Sequence, residues 1–189
     1  MNFFMVGSVF MLFMLNADWT SNYVIKLAGF VFFAVGVFES EEHTDAFSHL
    51  KKPAWTSSAM CAAAAAAQLL LKLLKPADIA ANIISILLCV AVTYMSLNLF
   101  RMFYVALDKH RELVTDASNI VRLGGNFQKL ALFTAVNVVC DLLNRLIPLE
   151  LVSTLAGVFT AVSKILVYIF LLILAFNFYK LRTDFLNSG

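Results

Sequence analysis

The sequence predicts an all-α, polytopic integral membrane protein: a six-transmembrane-helix bundle with short amphipathic cytoplasmic helices. Three observations carry that prediction. The 189 residues are 61% hydrophobic and only 14% charged, where an ordinary soluble domain is about 25% charged. The apolar residues fall in long blocks, with most charges confined between them. Several blocks reach the ~20 residues a helix needs to cross a ~30 Å hydrocarbon core. A soluble core of this length could not bury them all. Lipid is therefore the expected solvent, and residues 1–189 form a single transmembrane domain.

The first block, 2–17, is short for a bilayer and ends at Asp18 and Trp19. It lacks the basic flank and A-x-A-like site of a secretory signal, so it reads as a first membrane helix. The second block, 22–39, is also marginal, and the two are expected to form a tight hairpin. The third, 54–74, contains "CAAAAAAQLLL", whose small side chains let a neighbouring helix approach closely. The fourth block, 79–107, follows Pro76. Pro148 separates the fifth, 127–147, from the sixth, 150–179. Proline suits such breaks because it cannot continue a helix ladder.

Two connections carry patterns of their own. Segment 39–52 places Ala46, Phe47 and Leu50 on one side and charges on the other. Segment 108–122 places Leu113, Ala117, Ile120 and Val121 at helical spacing. Both predict short amphipathic helices at the cytoplasmic interface, where they would offer docking segments to a protein partner. The "GGN" at 124–126 predicts a break before the fifth block, with Asn126 as N-cap.

Orientation follows from the basic residues. Lys51, Lys52, Arg101, Lys109, Arg111, Arg122, Lys129, Lys180 and Arg182 fall on one side, and Lys26, Lys72, Lys75 and Arg145 on the other. The richer side is the inner one, which puts both termini in the cytoplasm.

Several chemistries find no support in the pattern. Cys61, Cys89 and Cys140 lie inside apolar blocks without CxxC spacing, as small buried hydrophobes would. The net charge is only +2, with no basic and aromatic interleaving, so no nucleic acid is implied. No P-loop, G-x-S-x-G or dinucleotide fingerprint occurs, and no cofactor is expected. Glu39, Glu42, His43, Asp45 and His49 form a carboxylate and histidine cluster, read as a solvated interfacial segment without metal. The intramembrane CAAX-type proteases carry EExxxR, but here "EEHTDA" puts Ala46 where the arginine belongs.

The strongest functional signal is Lys164, about 14 residues into the sixth block, roughly 21 Å along a helix axis. Ionisable groups at such depth are costly and mark pathways. Ser153, Gly157, Thr160, Lys164 and Tyr168 share a helical face. Asn137, Asp141 and Asn144 make a stripe on the fifth block, beside Arg145. Side chains lean toward their helix N-termini, so on antiparallel helices Lys164 and Asp141 would lean toward each other. The fourth block adds Asn82, Ser85, Cys89, Thr93 and Ser96. The expected site lies between blocks four, five and six, with Lys164, Asp141, Asn137, Asn144, Thr160 and Tyr168 as its residues. The expected function is a small transporter or solute-binding module, with Lys164 meeting an anionic solute. The alternatives are a non-catalytic subunit in which Lys164 and Asp141 lock the bundle, and, third, an intramembrane enzyme. In size and topology the chain is similar to the substrate-binding subunits of energy-coupling-factor transporters, a likeness of fold without a shared motif.

Overall fold

The computed structural model describes residues 2–13, 19–41, 43–74, 78–146 and 150–187, and these form helices and short turns without strands. Six α-helices follow in order: α1 (Asn2–Leu12), α2 (Trp19–Glu41), α3 (Lys51–Leu74), α4 (Asp78–Lys109), α5 (Ala117–Leu146) and α6 (Glu150–Asn187). Short 3₁₀ turns, Asp45–Leu50 and Arg111–Leu113, precede α3 and α5. The breaks expected at Pro76 and Pro148 lie outside the described residues, as does Glu42.

Among the described residues, four helical stretches are long and apolar enough to cross a membrane: Asn22–Glu41, Asp45–Leu74, Ala80–Lys109 and Thr154–Thr183. The other two expected spans stand apart. α1 has 11 residues, about 16 Å of axis, or roughly half of a ~30 Å core. α5 has the length, but Arg122, Lys129, Asn137 and Asp141 interrupt its apolar run. Much of the outward surface is apolar. Leu73 on α3 is 78% exposed and Leu172 on α6 is 73% exposed. Such faces are compatible with lipid as the solvent.

In the α1–α2 hairpin the two backbones approach most closely at glycines. A Cβ on Gly7 would lie 2.5 Å from the Phe33 amide nitrogen, and one on Gly29 would collide with the Met11 nitrogen. Only glycine lets two helix backbones approach this closely. On α3, Cys61, Ala64, Ala65 and Gln68 are buried while Ala62, Ala63 and Ala66 are exposed. The spacing i, i+3, i+4, i+7 is one helix face, so only part of the alanine run is packing surface.

One end of the bundle is filled by phenylalanine. The Phe103 ring on α4 lies 4.8 Å from Phe4, 5.3 Å from Phe47, 5.7 Å from Phe33 and 5.7 Å from Phe178. Phe100 continues the cluster, 4.4 Å from Phe127 on α5. Phe47 reaches it from the first 3₁₀ turn, whose Ala46, Phe47 and Leu50 are all buried. That turn is held in place locally. Thr44 caps it by accepting from the Ala46 amide at 3.2 Å, and Lys51 pairs with Glu41 at 3.0 Å across it.

The second connection differs from its expectation. A helix over 108–122 is replaced by the 3₁₀ turn, an extended Val114 and the start of α5 at Ala117. Val114 and Ile120 are buried, but Val121 faces outward at 57% exposure. The break expected at 124–126 is absent, because α5 runs through both glycines. Gly124 sits under the Tyr104 ring, where any Cβ would collide. The glycine serves a helix–helix contact, so it does not end the helix.

The cap is Asp116, where Asn126 was expected. It accepts from the Ser118 amide and from the Ser118 hydroxyl, both at 2.9 Å. These bonds hold its carboxyl below the ordinary range. A lowered folded-state value means the cap contributes fully above the ordinary carboxyl pKa of about 3.9 and is lost as pH falls through the folded value. Amide exchange at Ser118 and Asn119, relative to intrinsic rates, should therefore be slow at neutral pH and quicken below about pH 4. Asp116→Ala should remove that pH dependence.

Candidate functional site

Beyond the phenylalanine cluster the bundle changes character. Lys26, Thr93, Ser96, Thr134, Asn137 and Ser163 are all buried. α4 and α5 meet at Phe100 and Phe127, and again at a cavity shared by Cys89 and Asn137. Thr93 and Thr134 fall level with each other between these points. Their hydroxyls are buried without a hydrogen-bond partner among the described residues.

The cavity has a volume of about 40 Å³ and is lined by Ile86, Cys89, Val90, Asn137, Val138, Asp141 and Leu142. That is room for a water molecule or a small ion. Its α5 wall is polar because Asn137 and Asp141 stand one helical turn apart. The fourth-block stripe supplies the other wall only at Cys89. Further up α4, Ser85 turns to α3 and donates to Gln68 Oε1 at 3.3 Å.

Asn137 also joins α5 to α6. Its Nδ2 donates to the Thr160 carbonyl at 3.1 Å and to Ser163 Oγ at 3.0 Å. Both amide protons are thereby used, so the group Asn137 can offer a guest is its Oδ1 acceptor. Asp141 is half-buried and adds carboxylate oxygens. These two acceptors, set in an otherwise apolar lining, suit a cation or a proton donor.

Three of the expected residues are arranged differently. The α6 face that meets α5 passes through Ser163 and the Thr160 carbonyl, and Lys164 is rotated about 100° from Ser163. Lys164 is half-buried and makes no hydrogen bond or ion pair among the described residues. The direct Lys164–Asp141 pair is thus not formed. Tyr168, one turn on from Lys164, packs its ring on Phe13 at 5.6 Å, toward the end of α1. Thr160 contributes its carbonyl to Asn137, while its own hydroxyl is buried without a partner among the described residues. The side chains of Asn144, Arg145 and Ser153 lie outside the described residues.

Sequence reading missed Lys26, which it counted with the outer basic residues. Lys26 is only 6% exposed and its ammonium donates to the Met11 carbonyl at 2.8 Å. Met11 is in the last turn of α1, where carbonyls lack helical partners and the helix dipole is negative. The lysine therefore caps a short helix inside the bundle. The signal was present in "NYVIKLAGF", a lysine flanked by apolar residues on both sides. Its partner could not be read, because the α1–α2 register depends on where the glycines meet.

Metal chemistry has no visible seat: among the described residues no three His, Cys, Asp or Glu side chains come together. No family model, curated protein or solved structure matches the chain. The functional reading therefore rests on the chemistry of the site.

Proposed function

We propose that the chain is a polytopic membrane protein, with all six helices in the bilayer and both termini on the cytoplasmic side. We propose further that it works as a small transporter or solute-binding module. α1 would enter about halfway, paired with α2. The observation that carries the reading is the α4–α5 cavity, a mostly apolar pocket that Asp141 and Asn137 border, in a bundle whose exterior is largely apolar. Ionisable groups in such a position ordinarily mark a pathway. The acceptors of Asn137 and Asp141 support a cation or a proton as the species handled, in preference to the anionic solute that Lys164 alone suggests. A cavity of about 40 Å³ admits nothing much larger than water or a small ion, so a bigger solute requires α4 and α5 to part.

A second reading has its own observation. Asn137 spends both amide protons on α6, which is how a structural lock behaves. One pair of variants separates the two readings. If the cavity is a site, Asp141→Asn keeps helix content and thermal stability but abolishes cation or proton flux through reconstituted protein. If it is a lock, Asp141→Asn and Asn137→Ala both lower stability, and wild-type protein shows no flux above empty vesicles.

A further inference from the structure

The outer seam between α5 and α6 carries a second feature, remote from the cavity. Arg122, Gly125 and Lys129 lie at i, i+3 and i+7 on α5, all on one exposed face. Phe133 continues that face and stacks on Phe170 of α6 at 5.5 Å, 12° from parallel. This contact fixes the antiparallel register and sets Arg122 level with Lys180. Buried residues lie on the same rotational side of both contact phenylalanines, Leu130, Thr134 and Asn137 on α5 and Val167, Leu171 and Leu174 on α6. The opposite rotational side therefore faces outward on both helices. It holds Arg122 and Lys129 from α5 and Lys180 from α6.

Three cations thus line one end of an open groove. Lys129 rests over the Phe170 ring at 5.9 Å, which keeps it at the seam, and Lys180 lies over the exposed Phe176 of its own helix at 4.9 Å. Among the described residues no carboxylate forms a salt bridge with any of the three, although Asp116, at the α5 N-cap, lies near enough to Arg122 to feel its charge. Gly125 leaves the floor open, with no atom within 4 Å of where a Cβ would stand. Toward the other end the groove becomes wholly apolar, with Leu132 and Val136 on α5 and Ile173 on α6 exposed.

A cationic end that gives way to an apolar trough complements one molecule in both parts: a phosphate-bearing headgroup above acyl chains. We infer that the α5–α6 seam binds an anionic phospholipid of the cytoplasmic leaflet. The headgroup sits between Arg122, Lys129 and Lys180, and an acyl chain lies along Leu132, Val136 and Ile173. The inference rests on the membrane reading, since it needs the groove to face lipid. Arginine supplies two parallel donors to a phosphate and lysine a point charge. Basic residues near a membrane surface each add to attraction for anionic lipid.

The test uses the full chain in neutral micelles, with phosphatidylglycerol and phosphatidylcholine titrated separately and retained lipid read by native mass spectrometry. The expected result is one phosphatidylglycerol per chain, favoured over phosphatidylcholine by at least about tenfold. The triple variant Arg122→Gln, Lys129→Gln, Lys180→Gln should lose that preference. Gly125→Leu should weaken it without a change of charge, and Lys52→Gln, an exposed lysine elsewhere, should not. Equal retention of the two lipids would overturn the inference, as would a triple variant that binds like wild type. Displacement of the lipid by inorganic phosphate at matched concentration would also overturn it, since the site would then be one for free anions. Flotation with liposomes, measured first, keeps the two levels apart. Protein that floats without anionic preference sinks this inference alone, whereas protein that does not float sinks the membrane reading and the inference with it.

Discussion

Phe103→Ala is expected to destabilise the fold by about 3–5 kcal/mol, the range for removing a large aromatic from a packed core. Phe103 is fully buried and its ring meets rings from α1, α2, the first 3₁₀ turn and α6. Among the ring contacts of the described residues, no other ring joins so many elements. The ring contacts themselves, edge-on to Phe33 and stacked on Phe47 and Phe178, add to what burial supplies. Thermal unfolding in micelles, followed by near-ultraviolet circular dichroism, reads the loss. Phe159→Ala, at a ring 59% exposed on α6, should change stability by no more than about 0.5 kcal/mol. Equal effects at the two positions would mean that the phenylalanine cluster is not the core.

Gly29→Val should be nearly as damaging and should act on a different part of the molecule. The atoms that a Cβ at Gly29 would meet belong to the backbone of Met11, Phe10 and Gly7. Backbone cannot rotate away as a side chain can, so the cost should reach or exceed the ~1–3 kcal/mol typical of overpacking. Relief comes only if α1 moves off α2. That motion withdraws Phe4 from Phe103 and breaks the Lys26 bond to the Met11 carbonyl. Limited proteolysis at the α1–α2 connection, together with unfolding, should show α1 released while the α5–α6 pair holds. Gly157→Val is the control, because nothing lies within 4 Å of a Cβ there. A Gly29 variant as stable as wild type would refute the close seam.

Periodicity and block length carried most of the helical architecture, because an apolar stretch bounded by charge has few alternatives. Ala46, Phe47 and Leu50 were legible as a buried face for the same reason. What failed was reasoning from single residue types. Gly124 and Gly125 looked like a break, but glycine also permits close packing, and only the position of Tyr104 decides between the two. Helix rotation was the other blind spot. Asn137 and Asp141 were identifiable as interior polar groups from their depth and spacing. Lys164 seemed their natural partner, yet a rotation of one residue gives Asn137 to Ser163 and leaves Lys164 one face away. Lys26 was hidden because its partner is a main-chain carbonyl, which no side-chain pattern reveals.

We propose the α4–α5 cavity as a working site in a membrane-embedded bundle. Flux measured on purified wild-type chain in sealed liposomes tests it most directly, with a pH gradient in one series and a monovalent cation gradient in another. Flux above that of empty liposomes is expected in at least one series, as is its loss in Asp141→Asn protein that retains the wild-type helix content. Wild-type flux no greater than that of empty liposomes in either series, or undiminished flux through the Asp141→Asn variant, would contradict it.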